Sequence, residues 1–134
     1  MNWETIEIGA ISDARGELRF LEFGLQGDIK LQRIFWIEAP DGPVTRGNHA
    51  HRSCVQILAC VKGEIKVNLF AENEESFVLN PDSPAILVQP LVWVTLEFQS
   101  QGSILLVGAS EAYDESEYIS DWVEFRELTA NSVH

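Results

Sequence analysis

The chain has 134 residues, 46% of them hydrophobic, and a formal net charge of −12. That length suits one domain over residues 1–134 and gives a core large enough to do without disulfide or metal staples. The charge excludes nucleic acid, which demands a basic footprint, and no apolar run reaches the roughly 20 residues that span a bilayer.

The charge is unevenly spread. Residues 1–70 carry eight of the nine basic residues and nine acids, whereas residues 71–134 carry twelve acids and only Arg126. An anionic ligand can therefore still find arginines in the first half, and the acidic second half reads as a solubilising surface. The N-terminus, MNWETIEIGAISDARGE, has acids where a signal peptide carries a basic region and an apolar stretch, so a cytoplasmic location is expected. Cys54 and Cys60 lie in one hydrophobic stretch. If that stretch is a strand, they share a face at about 20 Å, too far apart for a disulfide. They read as reduced, buried thiols.

In chain order, expected strands are Thr5–Ala10, Glu17–Phe23, Arg33–Glu38, Val55–Val61, Glu64–Phe70, Glu75–Leu79, Ala85–Val88, Val94–Phe98 and Ser103–Ala109. They are short, rich in Val, Ile, Leu and Phe, and separated by turn signals, which predicts an all-β sandwich or barrel. Pro40-Asp41-Gly42-Pro43 and Asn80-Pro81-Asp82-Ser83-Pro84 are rigid loops, and Lys62-Gly63 sits at hairpin spacing between two apolar runs. A C-terminal helix is expected from Asp114 to near Leu128, with Tyr118, Trp122 and Phe125 on one face.

The most informative segment is Arg46-Gly47-Asn48-His49-Ala50-His51. Two histidines at i and i+2 of an extended segment project to one side, within reach of one ligand. Alone, such a pair is also what a solvated strand face presents. Four residues separate His51 from Gln56, and six more lead to Gly63. This spacing resembles the first cupin motif, in which two histidines, an acid and a turn glycine mark adjacent strands of a small barrel. Most metal-binding cupins use both histidines, the acid and a later histidine. Here Gln56, a neutral amide, replaces the acid, and Pro90-Leu91-Val92-Trp93-Val94-Thr95 holds no histidine. The donor set is poor, so no metal and no cofactor are expected. Imidazoles without metal duty suit proton transfer near neutral pH.

Four blocks together resemble the nucleotide-sugar 3,4-ketoisomerase family. They are Asp13-Ala14-Arg15-Gly16-Glu17-Leu18, Gln32-Arg33-Ile34-Phe35-Trp36-Ile37, the Arg46–His51 segment followed by Gln56, and the segment from Ala109 to Ile119. The resemblance implies a cupin or jelly-roll barrel with a short C-terminal helix, acting as a metal-free homodimer on a dTDP-linked 4-keto-6-deoxyhexose. The reaction it implies yields the 3-keto isomer through an enediol, for bacterial deoxysugar and lipopolysaccharide glycans. It makes His51 the base at C3 and His49 its assistant among the sugar oxygens and C4. Arg15, Arg33 and Arg46 become candidates for holding diphosphate or sugar oxygens, a task that charge-assisted forks perform well.

Each residue also has a plainer reading. Arg15 and Arg33 can pair with acids such as Asp13 or Glu17, Arg52 reads as surface, and Tyr113 and Tyr118 read as helix-docking anchors. Gln56 either orients a histidine or satisfies a buried backbone group. Val94 and Ser120 stand where many relatives have histidine and arginine, and Trp36 stands where a smaller aromatic is usual, a change expected to reshape the pocket. Two other functions fit the same barrel, a 3,5-epimerase-like enzyme and a non-catalytic sugar-nucleotide-binding module.

Overall fold

The computed structural model describes residues 2–22 and 29–131. Phe23, at the end of one expected strand, and His134 lie outside them. The strands are β1 (Trp3–Ile6), β2 (Gly9–Asp13), β3 (Gly16–Phe20), β4 (Arg33–Ala39), β5 (Val44–His51), β6 (Gln56–Lys62), β7 (Ile65–Phe70), β8 (Glu74–Leu79), β9 (Ala85–Val88), β10 (Trp93–Phe98), β11 (Ser103–Ala109) and β12 (Tyr118–Ile119), followed by helix α1 (Trp122–Asn131).

One five-stranded sheet has the order β1-β9-β6-β11-β4, the other β12-β5-β10-β7-β8, and β2 and β3 form a separate hairpin. This is the jelly-roll barrel of the cupins, with one short α-helix among the described residues, near the C-terminus. The two sheets share one core. Leu58, Leu105 and Val107 of the first meet Ile65, Val67, Leu69, Leu96 and Phe98 of the second. In β7 and β10 every second residue is buried, the two-residue period of a strand with one face on a core. β6 and β9 are buried on both faces, because Ile57, Ala59, Ala85 and Leu87 pack on a second cluster outside the barrel with Ile8, Leu21, Ile29 and Leu31. That double burial explains their continuous apolar runs.

Three expectations need correction. Thr5–Ala10 is not one strand. β1 pairs with β9 and β2 pairs with β3, so the chain changes partner between Ile6 and Gly9. Val44–His51 is a full strand, missed as a regular element because Gly47 and Asn48 have φ of 90° and 58° and break its alternation. The tail is not helical from Asp114. Asp114 caps a short 3-10 turn at Glu115–Glu117, and Tyr118–Ile119 then pairs with His51 and Ala50 of β5.

The helix starts only after Asp121, whose carboxylate accepts from the Val123 amide at 2.9 Å. Sheet pairing therefore outcompetes the local helical pattern, and Tyr118 shares no helical face with Trp122 and Phe125. Phe125 is fully buried and packs against Phe70, Trp93 and Trp122. The helix is thereby fixed to the barrel beside β5 and β10. Both cysteines are free and buried, but Cys54 precedes β6 and only Cys60 lies in it.

Candidate active site

The site is built on an irregularity in β5. Along its pairing with β10, Val44 faces Phe98, Arg46 faces Leu96 and His49 faces Val94, with a register shift between Val94 and Thr95. Val94, Leu96 and Phe98 are core residues, so their partners point inward as well. In a regular strand Arg46 and His49, three residues apart, would face opposite sides. The bulge resets the alternation and brings Arg46, His49 and His51 to the barrel interior.

Arg46 and His49 line a cavity of about 260 Å³ together with Gln56, Val94 and Tyr118, among others, and His51 adjoins it through ring contacts with His49 and Tyr118. Phe35 and Ile37 of β4 close one wall. His51 is 4% exposed. The two imidazoles stand edge to face with ring centroids 5.0 Å apart. Tyr118 lies over both, at 4.6 Å from the His51 ring and 5.0 Å from the His49 ring. It was expected on a helix as a docking anchor. Its direct pairing with His51 across β12 and β5 places both side chains on the same face.

Among the described residues, three buried side-chain nitrogens have no hydrogen-bond partner: both of His51 and Nε of Arg33. Buried polar atoms are nearly always paired, so these three mark a place built for a polar ligand. Burial pushes the His51 pKa down to about 4, and the neighbouring His49 adds to the effect. Burial also lowers His49, against a backbone hydrogen bond at Gly47. Both rings are thus neutral at pH 7, the state a proton acceptor requires. Arg33 lies 4.9 Å over the Phe35 ring and 5.6 Å from that of Tyr113, near enough to His51 for its charge to oppose protonation there.

The other expected residues fall as follows. Arg46, Gln56 and Val94 line the cavity. Arg15 does not. It sits at the tip of the β2–β3 hairpin with its side chain 90% exposed and bonded to Asp13 at 2.6 Å, the plainer reading given to it above. Trp36 does not reshape the cavity, since Arg33, Phe35 and Ile37 take the inward positions of β4 and leave Trp36 outside, 69% exposed. Arg52, read as surface, ties the tail to β5 through the Ser116 carbonyl at 3.0 Å and the Glu124 carboxylate at 2.9 Å.

The sequence profile of the family described as "FdtA: WxcM-like, C-terminal" matches residues 1–130. The chain belongs to this family. It is 30% identical over 131 residues to the TDP-4-oxo-6-deoxy-alpha-D-glucose-3,4-oxoisomerase of Aneurinibacillus thermoaerophilus, covering 97% of this chain and 94% of that one. Its fold matches the crystal structure of QdtA, a sugar 3,4-ketoisomerase from Thermoanaerobacterium thermosaccharolyticum in complex with TDP. The TM-score is 0.90 at 30% identity over 99% of this chain and 98% of QdtA. A QdtA variant with one histidine changed to asparagine, in complex with TDP-4-keto-6-deoxyglucose, matches with TM-score 0.89 at 30% identity over 98% and 96% of the two chains.

The donors at the site are a poor set for a metal. Among the described residues no three His, Cys, Asp or Glu side chains are grouped to hold one, and Gln56 offers only a neutral oxygen beside the two imidazoles. Tyr118 stands on a strand beside the histidines and not on the expected helix. The signal that could have found it is Asp121, a good N-cap three residues downstream that starts the helix too late to include it.

Proposed function

We propose that this chain is a 3,4-ketoisomerase that converts a TDP-linked 4-keto-6-deoxyhexose to its 3-keto isomer. The observation that carries this reading is the pair of neutral imidazoles packed edge to face, with His49 on the wall of a small cavity and both His51 nitrogens unpartnered. His51 takes the proton from C3, giving an enediol across C3 and C4, and His49 assists the transfers at the oxygens and at C4. Arg46, on the cavity wall, and Arg33, stacked over the Phe35 ring of that wall, hold diphosphate or sugar oxygens. Gln56, buried on the cavity wall, fixes the sugar's orientation. Arg15 lies away from this cavity, so no substrate contact is assigned to it. The free thiols fit a reducing, cytoplasmic setting.

The test is incubation with TDP-4-keto-6-deoxyglucose in D2O. Deuterium is expected at C3 of recovered substrate and at C4 of the 3-keto product, with rates unchanged by a chelator. Label at C5 would identify an epimerase, no label a binding module, and loss of activity on chelation a metal enzyme.

The pH profile follows from the lowered histidines. The base form of His51 is present above a pKa of about 4 and is lost as pH falls through it. The acid limb of kcat/KM is expected near that value and well below the ordinary histidine range around 6.5. A limb at pH 6 to 7 would assign the base elsewhere.

A homodimer is part of the proposal. The outer face of the first sheet and the hairpin expose Ile11, Leu18, Ile34, Trp36 and Val61, each more than half exposed. Ile34 and Val61 line a largely apolar groove of about 610 Å³ between hairpin and sheet. An apolar surface of this kind is normally covered, and C2 pairing is the commonest way. Light scattering at micromolar concentration should give twice the chain mass, and Trp36→Lys should shift it toward the monomer.

A further inference from the structure

We propose that Tyr118 is a third catalytic residue of this site, its phenol carrying the proton between the two sugar oxygens that exchange carbonyl and hydroxyl character. The proposal rests on the ketoisomerase reading and names a group for a step otherwise left to His49.

Position is the first argument. Tyr118 lines the cavity with His49, its ring meets both imidazoles within 5.0 Å, and its hydroxyl has no hydrogen-bond partner among the described residues. A group serving C3 and C4 of one sugar must lie beside both histidines, and Tyr118 does.

The second argument is how firmly it is held. Two residues cannot make a stable strand by their own pairing, so β12 needs external fixing. Glu117, directly before Tyr118, supplies it. Its carboxylate accepts from the Ser53 amide at 2.8 Å, the Ser53 hydroxyl at 2.9 Å and the Cys54 amide at 2.7 Å. The Arg52 amide donates to the Glu117 carbonyl at 3.0 Å, and the Arg52 guanidinium to the Ser116 carbonyl. Five hydrogen bonds thus clamp one turn of chain to the end of the histidine strand. An aromatic ring whose only task was to fill space would not need that precision.

The third argument is chemical matching. Once C3 loses its proton to His51, the oxygen on C4 carries negative charge and needs a proton donor. A neutral imidazole N–H is a feeble acid, and burial makes the His49 imidazolium scarce at neutral pH. A phenol O–H is a better acid than a neutral imidazole N–H, and its oxygen serves as donor and then acceptor. The sequence balances. The C3 proton goes to His51, and the Tyr118 proton goes to the oxygen on C4. The Tyr118 phenolate then takes the proton from the hydroxyl on C3, the C3 carbonyl forms, and C4 takes a proton from an imidazolium. Tyr118 ends as it began.

Tyr118→Phe keeps the ring and removes only the oxygen. It is compared with the unaltered protein in D2O with TDP-4-keto-6-deoxyglucose, measuring C3 label in recovered substrate, 3-keto product, TDP affinity and Tm. Product formation is expected to fall at least about tenfold, with TDP affinity and Tm nearly unchanged. The fall in C3 exchange should be smaller, because an enediolate can still form and return its proton to C3. Product formation within twofold of the unaltered protein overturns the proposal. So does an equal fall in exchange and product, which would make Tyr118 a shaping residue only, or a parallel loss of TDP affinity. If the unaltered protein neither exchanges nor turns over, the ketoisomerase reading itself fails, and this proposal with it.

Discussion

His51→Asn should abolish turnover while leaving TDP binding nearly intact. Asparagine is neutral, smaller and polar, so it enters the buried position without a charge to desolvate. What it lacks is a basic nitrogen, and loss of a positioned general base typically costs about 10²–10⁴ in rate. TDP affinity is carried by charge-assisted contacts from arginines, and neither arginine is held by a hydrogen bond to His51, whose ring nitrogens have no partner; Arg33 stands on β4 and Arg46 lies five residues before His51 on β5. The QdtA variant with one histidine changed to asparagine, crystallised with TDP-4-keto-6-deoxyglucose, sets a precedent for a loaded site lacking an imidazole. His49→Asn should cost less, because His49 aids the transfers and does not begin them. Steady-state kinetics alongside calorimetric titration with TDP separates the two effects. Near-normal turnover, or affinity lost as severely as rate, would move the base to another residue. The residual rate of His51→Asn should also lose the acid limb near pH 4 that the unaltered protein is expected to display.

What the sequence disclosed, and what it withheld, follows from which interactions are local. Strands such as β7 and β11 were legible because their alternation or continuous apolar run is written in consecutive residues. The histidine pair was legible for the same reason, since i and i+2 suffice to place two side chains on one face. Tyr118 was not, because its environment is decided by pairing with a residue 67 positions earlier. A stretch rich in acids and aromatics satisfies a helical pattern equally well until that partner is in place. Arg15 and Arg33 looked alike as arginines within motif blocks. The chain separates them by putting one on a hairpin tip and the other on the inner face of β4, a distinction that depends on topology. Trp36 was misjudged by the reverse route. Its neighbours line the cavity, but strand parity turns it outward, and the alternation from Arg33 to Glu38 contained that answer.

Gly47→Ala should disable the enzyme more completely than its cost in stability explains. Gly47 has φ of +90°, and a Cβ there would lie 2.8 Å from the Val94 carbonyl oxygen and 3.4 Å from the Leu96 amide nitrogen. Both are backbone atoms of the neighbouring strand, so no side chain can swing aside. Left-handed strain and the steric clash together cost roughly 2–4 kcal/mol, which lowers Tm by about 10 °C in a chain of this size. The chain can relieve the strain by abandoning the bulge, and that is where function is lost. With the extra residue squeezed out, the alternation of β5 no longer resets, and either Arg46 or the two histidines must leave the interior. Turnover should therefore fall by at least about 10²-fold even at temperatures where the variant is fully folded. Gly42→Ala is the control. Gly42 also has positive φ, +87°, but open space around the Cβ position and a place in the loop after β4, away from the cavity. It should lose about 1 kcal/mol from strain alone and keep its rate. Equal loss of stability in the two variants with equal retention of activity would mean that the bulge does not set the direction of the histidines.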